Sequence, residues 1–179
     1  MKDNSLTRII FCLVLLIPKG LHADEGDLEY KIKTAYLYNF TKFITWPEIK
    51  SPSFNICLLG NDPFGPVIQP IEKKTAFALP IKVVRLSETG NLNINQACQI
   101  VYLYKTNSSQ VVFEKLKGSP QQLGTLVVGE GEDFTEEGGM IGFVNRDGKI
   151  RLKINLVSIK LTGLKISAKL LEVAEVIKE

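Results

Sequence analysis

From residue 28 onward, apolar positions recur every three or four residues: Leu28, Ile32, Tyr36, Phe40, Phe43 and Ile44. That spacing predicts a helix from Leu28 to Trp46 with one broad apolar face. Pro47 stops it, because the residue before a proline is pushed out of the α region. Asn39 falls on or near the apolar face, where burial would require hydrogen-bond partners. Phe54 to Leu59 reads as a strand, followed by a Gly60-Asn61-Asp62-Pro63 turn whose proline can open a helix at its first position. Further strands are predicted at Ile81 to Leu86, Ile100 to Tyr104 and Thr125 to Val128. The Ile100 strand is almost wholly apolar, as suits a strand covered on both faces. Ser108 or Ser109 can cap a helix through Leu116 that Gly118 ends. Glu132 to Glu137 reads as a short acidic helical turn.

The pattern then changes. Met140 to Val144 and Ile150 to Ile154 flank Asn145-Arg146-Asp147-Gly148, a hairpin signal. In the second arm Ile150, Leu152 and Ile154 point to the core, and Arg151 and Lys153 to water. Asn155 can cap a short helix ending near Gly163. Ser167 can cap a last helix striped by Leu170, Leu171, Ala174 and Ile177. Strand and helix alternate through the middle, with the hairpin near the end. The expected fold is a three-layer α/β sandwich: a mainly parallel sheet with a late antiparallel hairpin at its edge, and long N-terminal and C-terminal helices.

The segment before this pattern has a different character. Lys2 and Arg8 precede an unbroken apolar run from Ile9 to Ile17. Pro18 and Gly20 break it, and Leu21-His22-Ala23 offers a small residue for cleavage. This is the layout of a secretory signal peptide over residues 1–23, leaving one domain over 24–179. The run is much shorter than the ~20 residues a membrane-spanning helix needs, so no stable membrane insertion is expected after cleavage. Lipidation at Cys12 is the rival, but Phe11 is too large for the residue before a lipid-bearing cysteine. The expected compartment is the periplasm.

Removing the leader also changes the charge. The formal +3 loses Lys2, Arg8, Lys19 and Asp3 and falls to +1. A near-neutral domain has no broad electrostatic reason to bind nucleic acid. The one histidine, His22, leaves with the leader, and with it every mechanism needing a histidine base or the common histidine-ligated zinc. Cys57 and Cys98 remain. An even number of cysteines in an exported chain reads as a disulfide, and closing the loop between them would stabilise the fold by roughly 4 kcal/mol. The alternative is two unrelated buried thiols.

Other motifs are weak. Gly129-Glu130-Gly131 follows a strand but lacks the third glycine of a dinucleotide loop, and Glu130 and Glu132 would repel a pyrophosphate. The Glu130–Glu137 acids lack the alternating ligands of a calcium loop. No nucleophile elbow or phosphate loop occurs. No catalytic residue, cofactor or metal is expected. An enzyme would have to work with carboxylates alone, such as Asp62 with Glu130. Asn39-Phe40-Thr41 and Asn107-Ser108-Ser109 match the glycosylation pattern, which is short and common.

Longer stretches carry a resemblance. Lys33 to Pro47 (KTAYLYNFTKFITWP), Phe54 to Gly65 (FNICLLGNDPFG), Gly138 to Phe143 (GGMIGF) and Ile154 to Leu171 resemble, in order, the YfiR family of periplasmic regulators. The resemblance implies a periplasmic α/β domain that often dimerises. It implies a repressor that binds the periplasmic region of an inner-membrane diguanylate cyclase and so acts in cyclic di-GMP signalling. It also implies an outer-membrane lipoprotein with a peptidoglycan-binding domain that sequesters the repressor. Cys57 and Cys98 fall where the best-known branch has one disulfide. Some relatives carry a second cysteine pair flanking the Gly-Gly segment; those positions hold no cysteine here, so Cys57–Cys98 is read as structural. Lys105 to Leu123 matches no stretch of the family.

Aromatics crowd the first helix, and they cannot all pack on a sheet. The expected partner surface is therefore the exposed side of that helix, Tyr38, Lys42 and Trp46, together with Met140, Ile141 and Phe143 on a strand taken as a sheet edge. The alternative function is a periplasmic small-ligand sensor with no cyclase partner. Its site would lie at the carboxyl ends of the strands, near Gly60-Asn61-Asp62, Tyr104-Lys105 and Gly129-Glu130-Gly131.

Overall fold

The computed structural model describes residues 25–87, 98–106, 113–114 and 124–178. The expected leader lies outside them, as does all of the expected Ser108–Leu116 helix except Phe113 and Glu114, which are helical.

The long first helix, α1 (Glu25–Phe43), runs into a two-residue strand, β1 (Ile44–Thr45). β2 (Phe54–Gly60) leads through a 3-10 segment (Gly65–Lys73) to β3 (Thr75–Ala76) and β4 (Leu79–Leu86). β5 (Ile100–Tyr104), β6 (Leu126–Glu130), β7 (Ile141–Arg146) and β8 (Lys149–Asn155) follow. The chain ends with α2 (Leu156–Lys160), β9 (Lys165–Ile166), α3 (Ala168–Leu171) and β10 (Ala174–Ile177). The main sheet has eight strands in the order β10-β8-β7-β6-β5-β2-β4-β3. Pairings from β4 through β2, β5 and β6 to β7 are parallel; β7–β8 is antiparallel, and β10 runs parallel to β8. This is the expected α/β architecture.

β2, β5 and β6 form the centre. Ile56, Cys57, Ile100, Val101, Leu126 and Val127 are almost wholly excluded from water, as strands buried on both faces must be. α1 covers one face: Phe40 and Tyr36 pack on Phe143 of β7, at ring distances of 6.2 and 5.7 Å. On the opposite face Phe113 meets Phe134 edge-on at 5.8 Å. There the backbone of β6 has to leave room, since a Cβ on Gly129 would lie 2.3 Å from the Phe134 ring. That contact explains a glycine in the Gly129-Glu130-Gly131 stretch without any nucleotide.

Several expectations are corrected. α1 stops at Phe43, because the next two residues pair with β9 (Ile44 with Ile166) and Ser167 N–H donates to the Phe43 carbonyl. Its buried face is also turned: Lys33, Leu37, Phe40 and Thr41 face inward, while Leu28 is 61% exposed and Asn39 is exposed. The 3-10 segment begins after Phe64 with Pro66 in its first turn, not at Pro63. Glu132–Glu137 forms a turn in which the Glu136 and Glu137 N–H groups both donate to the Asp133 carbonyl.

The hairpin forms, with Arg146 opposite Lys149 and Asp147-Gly148 at its tip, both at positive φ (52° and 72°) as that tight turn demands. It is not an edge: β7 lies between β6 and β8, and β8 is itself covered by β10. Lys153 is buried, because its Nζ reaches the Glu132 carbonyl (3.0 Å) and the Glu136 carboxylate (2.8 Å). Asn155 and Ser167 cap their helices as expected, accepting from Ser158 and Leu170 N–H. The long C-terminal helix does not form. α3 ends at Leu171, and Ala174–Ile177 completes the sheet as β10, where β8 offers an open ladder of backbone partners.

Candidate functional site

The order of strands reverses at β2. The chain leaves β2 for β4 on one side and then adds β5 on the other. In α/β sheets the crevice above such a point commonly holds ligands. Here the chain's own side chains fill it. Phe64 packs edge-on against Tyr102 at 4.8 Å, and Tyr30 of α1 against Phe64 at 5.3 Å and Tyr104 at 6.2 Å. Asp62 is occupied too: its carboxylate accepts from Phe64 and Gly65 N–H and from Arg85 Nε at 2.8 Å, which starts the 3-10 segment.

Beneath Tyr30 lies a buried charged group. The Lys33 side chain is 2% exposed. Its Nζ ion-pairs with Glu130 at 2.7 Å and with Glu29, and lies 4.5 Å from the Tyr30 ring centre. Tyr102 Oη also donates to Glu130. The Glu130 carboxylate thus ties α1 to the ends of β5 and β6. Burial, then the Glu130 charge, hold the Tyr102 hydroxyl far above its ordinary titration range. Burial raises Tyr30 as well, followed by its bond to Tyr104. Sequence reasoning did not single out Lys33; its place inside an apolar helix face, three residues after Tyr30, was the available signal.

Open space lies one strand further along. A cleft of about 520 Å³ sits at the carboxyl ends of β5 and β6, between Leu103–Thr106 and Glu130–Phe134, with Glu137 at its side. The expected rim residues Tyr104, Lys105, Glu130 and Gly131 come together in it. Asp62 is not among its walls. Glu132 faces Arg146 across its outer side, with 2.8 Å between Nη2 and Oε2.

The expected partner residues separate into two groups. Tyr38 is half-buried and Lys42 exposed on α1. The Lys42 and Lys74 ammonium groups lie 4.8 and 5.0 Å from the Tyr38 ring centre, an aromatic flanked by two cations at the surface. Trp46 is only 7% exposed; it packs edge-on against Phe54 and Phe77, and its Nε1 donates to the Gln99 carbonyl at 3.2 Å. Met140, Ile141 and Phe143 are buried on an inner strand. A partner cannot reach these four without opening the core, so the accessible part of the expected surface is Tyr38 and Lys42. Phe77, with φ of 54°, is exposed beside Trp46.

Cys57 and Cys98 are joined by a disulfide, with Cα atoms 5.9 Å apart. It links β2 to the residue two positions before β5, where Thr125 Oγ1 also donates to the Cys98 carbonyl. Among the described residues no helix is long and apolar enough to cross a membrane, and no group of three or more acids and cysteines is placed to hold a metal ion.

Residues 30–175 match the family model described as YfiR/HmsC-like. No curated protein matches the chain.

Proposed function

This chain belongs to the YfiR/HmsC-like family, and from that premise we propose that it is a periplasmic regulatory binding protein. It represses an inner-membrane diguanylate cyclase by contact with the cyclase's periplasmic region. It is exported by cleavage of residues 1–23, acts without catalysis, and works as a homodimer. An outer-membrane lipoprotein with a peptidoglycan-binding domain relieves the repression by taking the protein away.

The observation that carries this reading is the family match over nearly the whole of residues 24–179. The Tyr38–Lys42–Lys74 cluster supports a contact surface on α1: a ring with two cations beside it suits an acidic, aromatic-bearing partner face. The test is the cellular level of cyclic di-GMP with and without the gene. Deletion raises it, and complementation by the wild-type chain lowers it again. An unchanged level under several growth conditions overturns the cyclase partnership.

The cleft at the ends of β5 and β6 favours a second reading, a small-ligand sensor. A thermal-shift screen with periplasmic metabolites tests it, since a ligand bound by the folded state alone raises the melting temperature. A screen with no stabilising compound counts against it.

A further inference from the structure

The two ends of the main sheet are treated differently. At the β4 end, Thr75–Ala76 pairs with Leu79–Pro80, the edge carries Pro80, Lys82 and Arg85, and the Glu72 carboxylate takes the Val83 N–H at 3.1 Å. These are the usual means of blunting an edge strand. At the other end β10 pairs with β8 along one side, and among the described residues no strand lies along the other. Its sequence, Ala174-Glu175-Val176-Ile177, contains no proline.

The surroundings of β10 are apolar. Ala168 and Leu171 of α3, with Ala174 and Val176 of β10, form a groove of about 420 Å³. Glu172 lines the same groove at one end and Lys178 at the other. Val173 is 61% exposed beside it, and α2, which packs on β10, carries the exposed Val157 and is followed by the exposed Leu161. An unpaired strand edge with apolar flanks invites another strand.

We propose that β10 is the site at which a second copy of this chain adds, strand to strand and antiparallel, across a twofold axis at Glu175. The pattern of β10 is complementary to itself about that residue. Counting outward from Glu175, Ala174 meets Val176 of the second copy, and at each end of the groove Glu172, in the turn before β10, faces the Lys178 that the second copy brings. A twofold interface repeats every pair, so each end of the groove gains an opposite-charge pair. The two Glu175 side chains come together at the axis, and each brings an Arg146 guanidinium, whose Nη2 lies 3.4 Å from its own Glu175 carboxylate. Strand addition supplies the backbone hydrogen bonds, and the groove supplies the choice of partner. This assignment rests on the homodimer in the proposed function and does not depend on the cyclase.

The experiment is sedimentation of the purified protein over a range of concentrations. The wild-type chain shows a monomer–dimer equilibrium. Glu172→Lys and Lys178→Glu each turn both opposite-charge pairs into like-charge pairs and weaken dimerisation by about tenfold or more. The double swap Glu172→Lys/Lys178→Glu restores it. Both side chains are exposed, so circular dichroism of the variants matches wild type. Glu175→Cys then crosslinks to its copy under mild oxidation, and Val157→Cys does not. A dimer indifferent to both single swaps overturns the β10 interface and leaves the homodimer standing. A chain that stays monomeric at every concentration overturns both. Neither result bears on the cyclic di-GMP measurement, which tests the regulatory reading separately.

Discussion

The Phe134 ring occupies the place where a side chain on Gly139 would have to go: a Cβ there would meet the ring at 2.2 Å. Gly129, on the neighbouring strand, is in the same position at 2.3 Å. The ring is therefore wedged between two stretches of backbone that can approach it only because both are bare. Gly139→Ala is expected to destabilise the protein by about 1–3 kcal/mol through overpacking. Urea unfolding checks this. Phe134→Val in the same chain should recover part of the loss, with a coupling energy that a double-mutant cycle reads directly.

Buried Lys33 and half-buried Glu130 form an ion pair whose members depend on one another. Lys33→Ala leaves the carboxylate facing Tyr102 without its cation and is expected to cost about 3–5 kcal/mol. Lys33→Met with Glu130→Gln removes the charges together and should cost less than either change alone. Equilibrium unfolding of the three variants decides it. Equal and additive losses would show that the pair is not coupled.

Tyr102 gives stability a defined alkaline limit. Its proton is held more tightly in the folded chain, by burial and by the Glu130 charge, than in the unfolded chain, where it titrates near 10. A raised folded value contributes stability that is complete below about pH 10 and is lost as pH rises beyond it. Urea midpoints should be level from neutral pH to about 9 and fall steeply above 10. Tyr102→Phe should flatten that fall while lowering the neutral plateau through its lost bond to Glu130.

The disulfide closes a loop with a sequence separation of 41. Reduction is expected to lower stability by roughly 4 kcal/mol in the chain-entropy model. The comparison is unfolding with and without reductant. The Cys57→Ala/Cys98→Ala chain should show no reductant dependence.

Trp46 and Tyr38 were expected to serve the same surface, and they should behave differently. The chain has one tryptophan, and its emission should be blue-shifted when folded and move to the red on unfolding. Trp46→Ala should cost about 3–5 kcal/mol as a core truncation. Tyr38→Ala should cost about 1 kcal/mol or less and instead weaken capture of the periplasmic region of the proposed cyclase partner. Unchanged capture by a folded Tyr38→Ala chain would remove α1 from the partner surface.

Local signals were enough for a great deal of this molecule. Apolar runs marked β2, β5 and β6 because strands covered on both faces must be apolar throughout. Asn155 and Ser167 announced their helices because a cap acts within three residues. Asp147-Gly148 announced its hairpin because few residues accept positive φ. The cysteine pair was legible from its even number and the compartment expected for it. What only the tertiary structure decided depends on partners distant in sequence. β9 stops α1 at Phe43, and β8 draws Ala174–Ile177 out of a helical pattern and into the sheet. Glu130 brings Lys33 inside a face that spacing assigned to Leu28 and Ile32, and Glu136 does the same for Lys153 on a side expected to be wet. In each case a long-range backbone ladder or ion pair outweighs a local preference worth only tenths of a kcal/mol per residue, and that partner cannot be read from the neighbouring residues. For the same reason the sequence pointed to a sheet edge at β7, whereas among the described residues the open edge is β10.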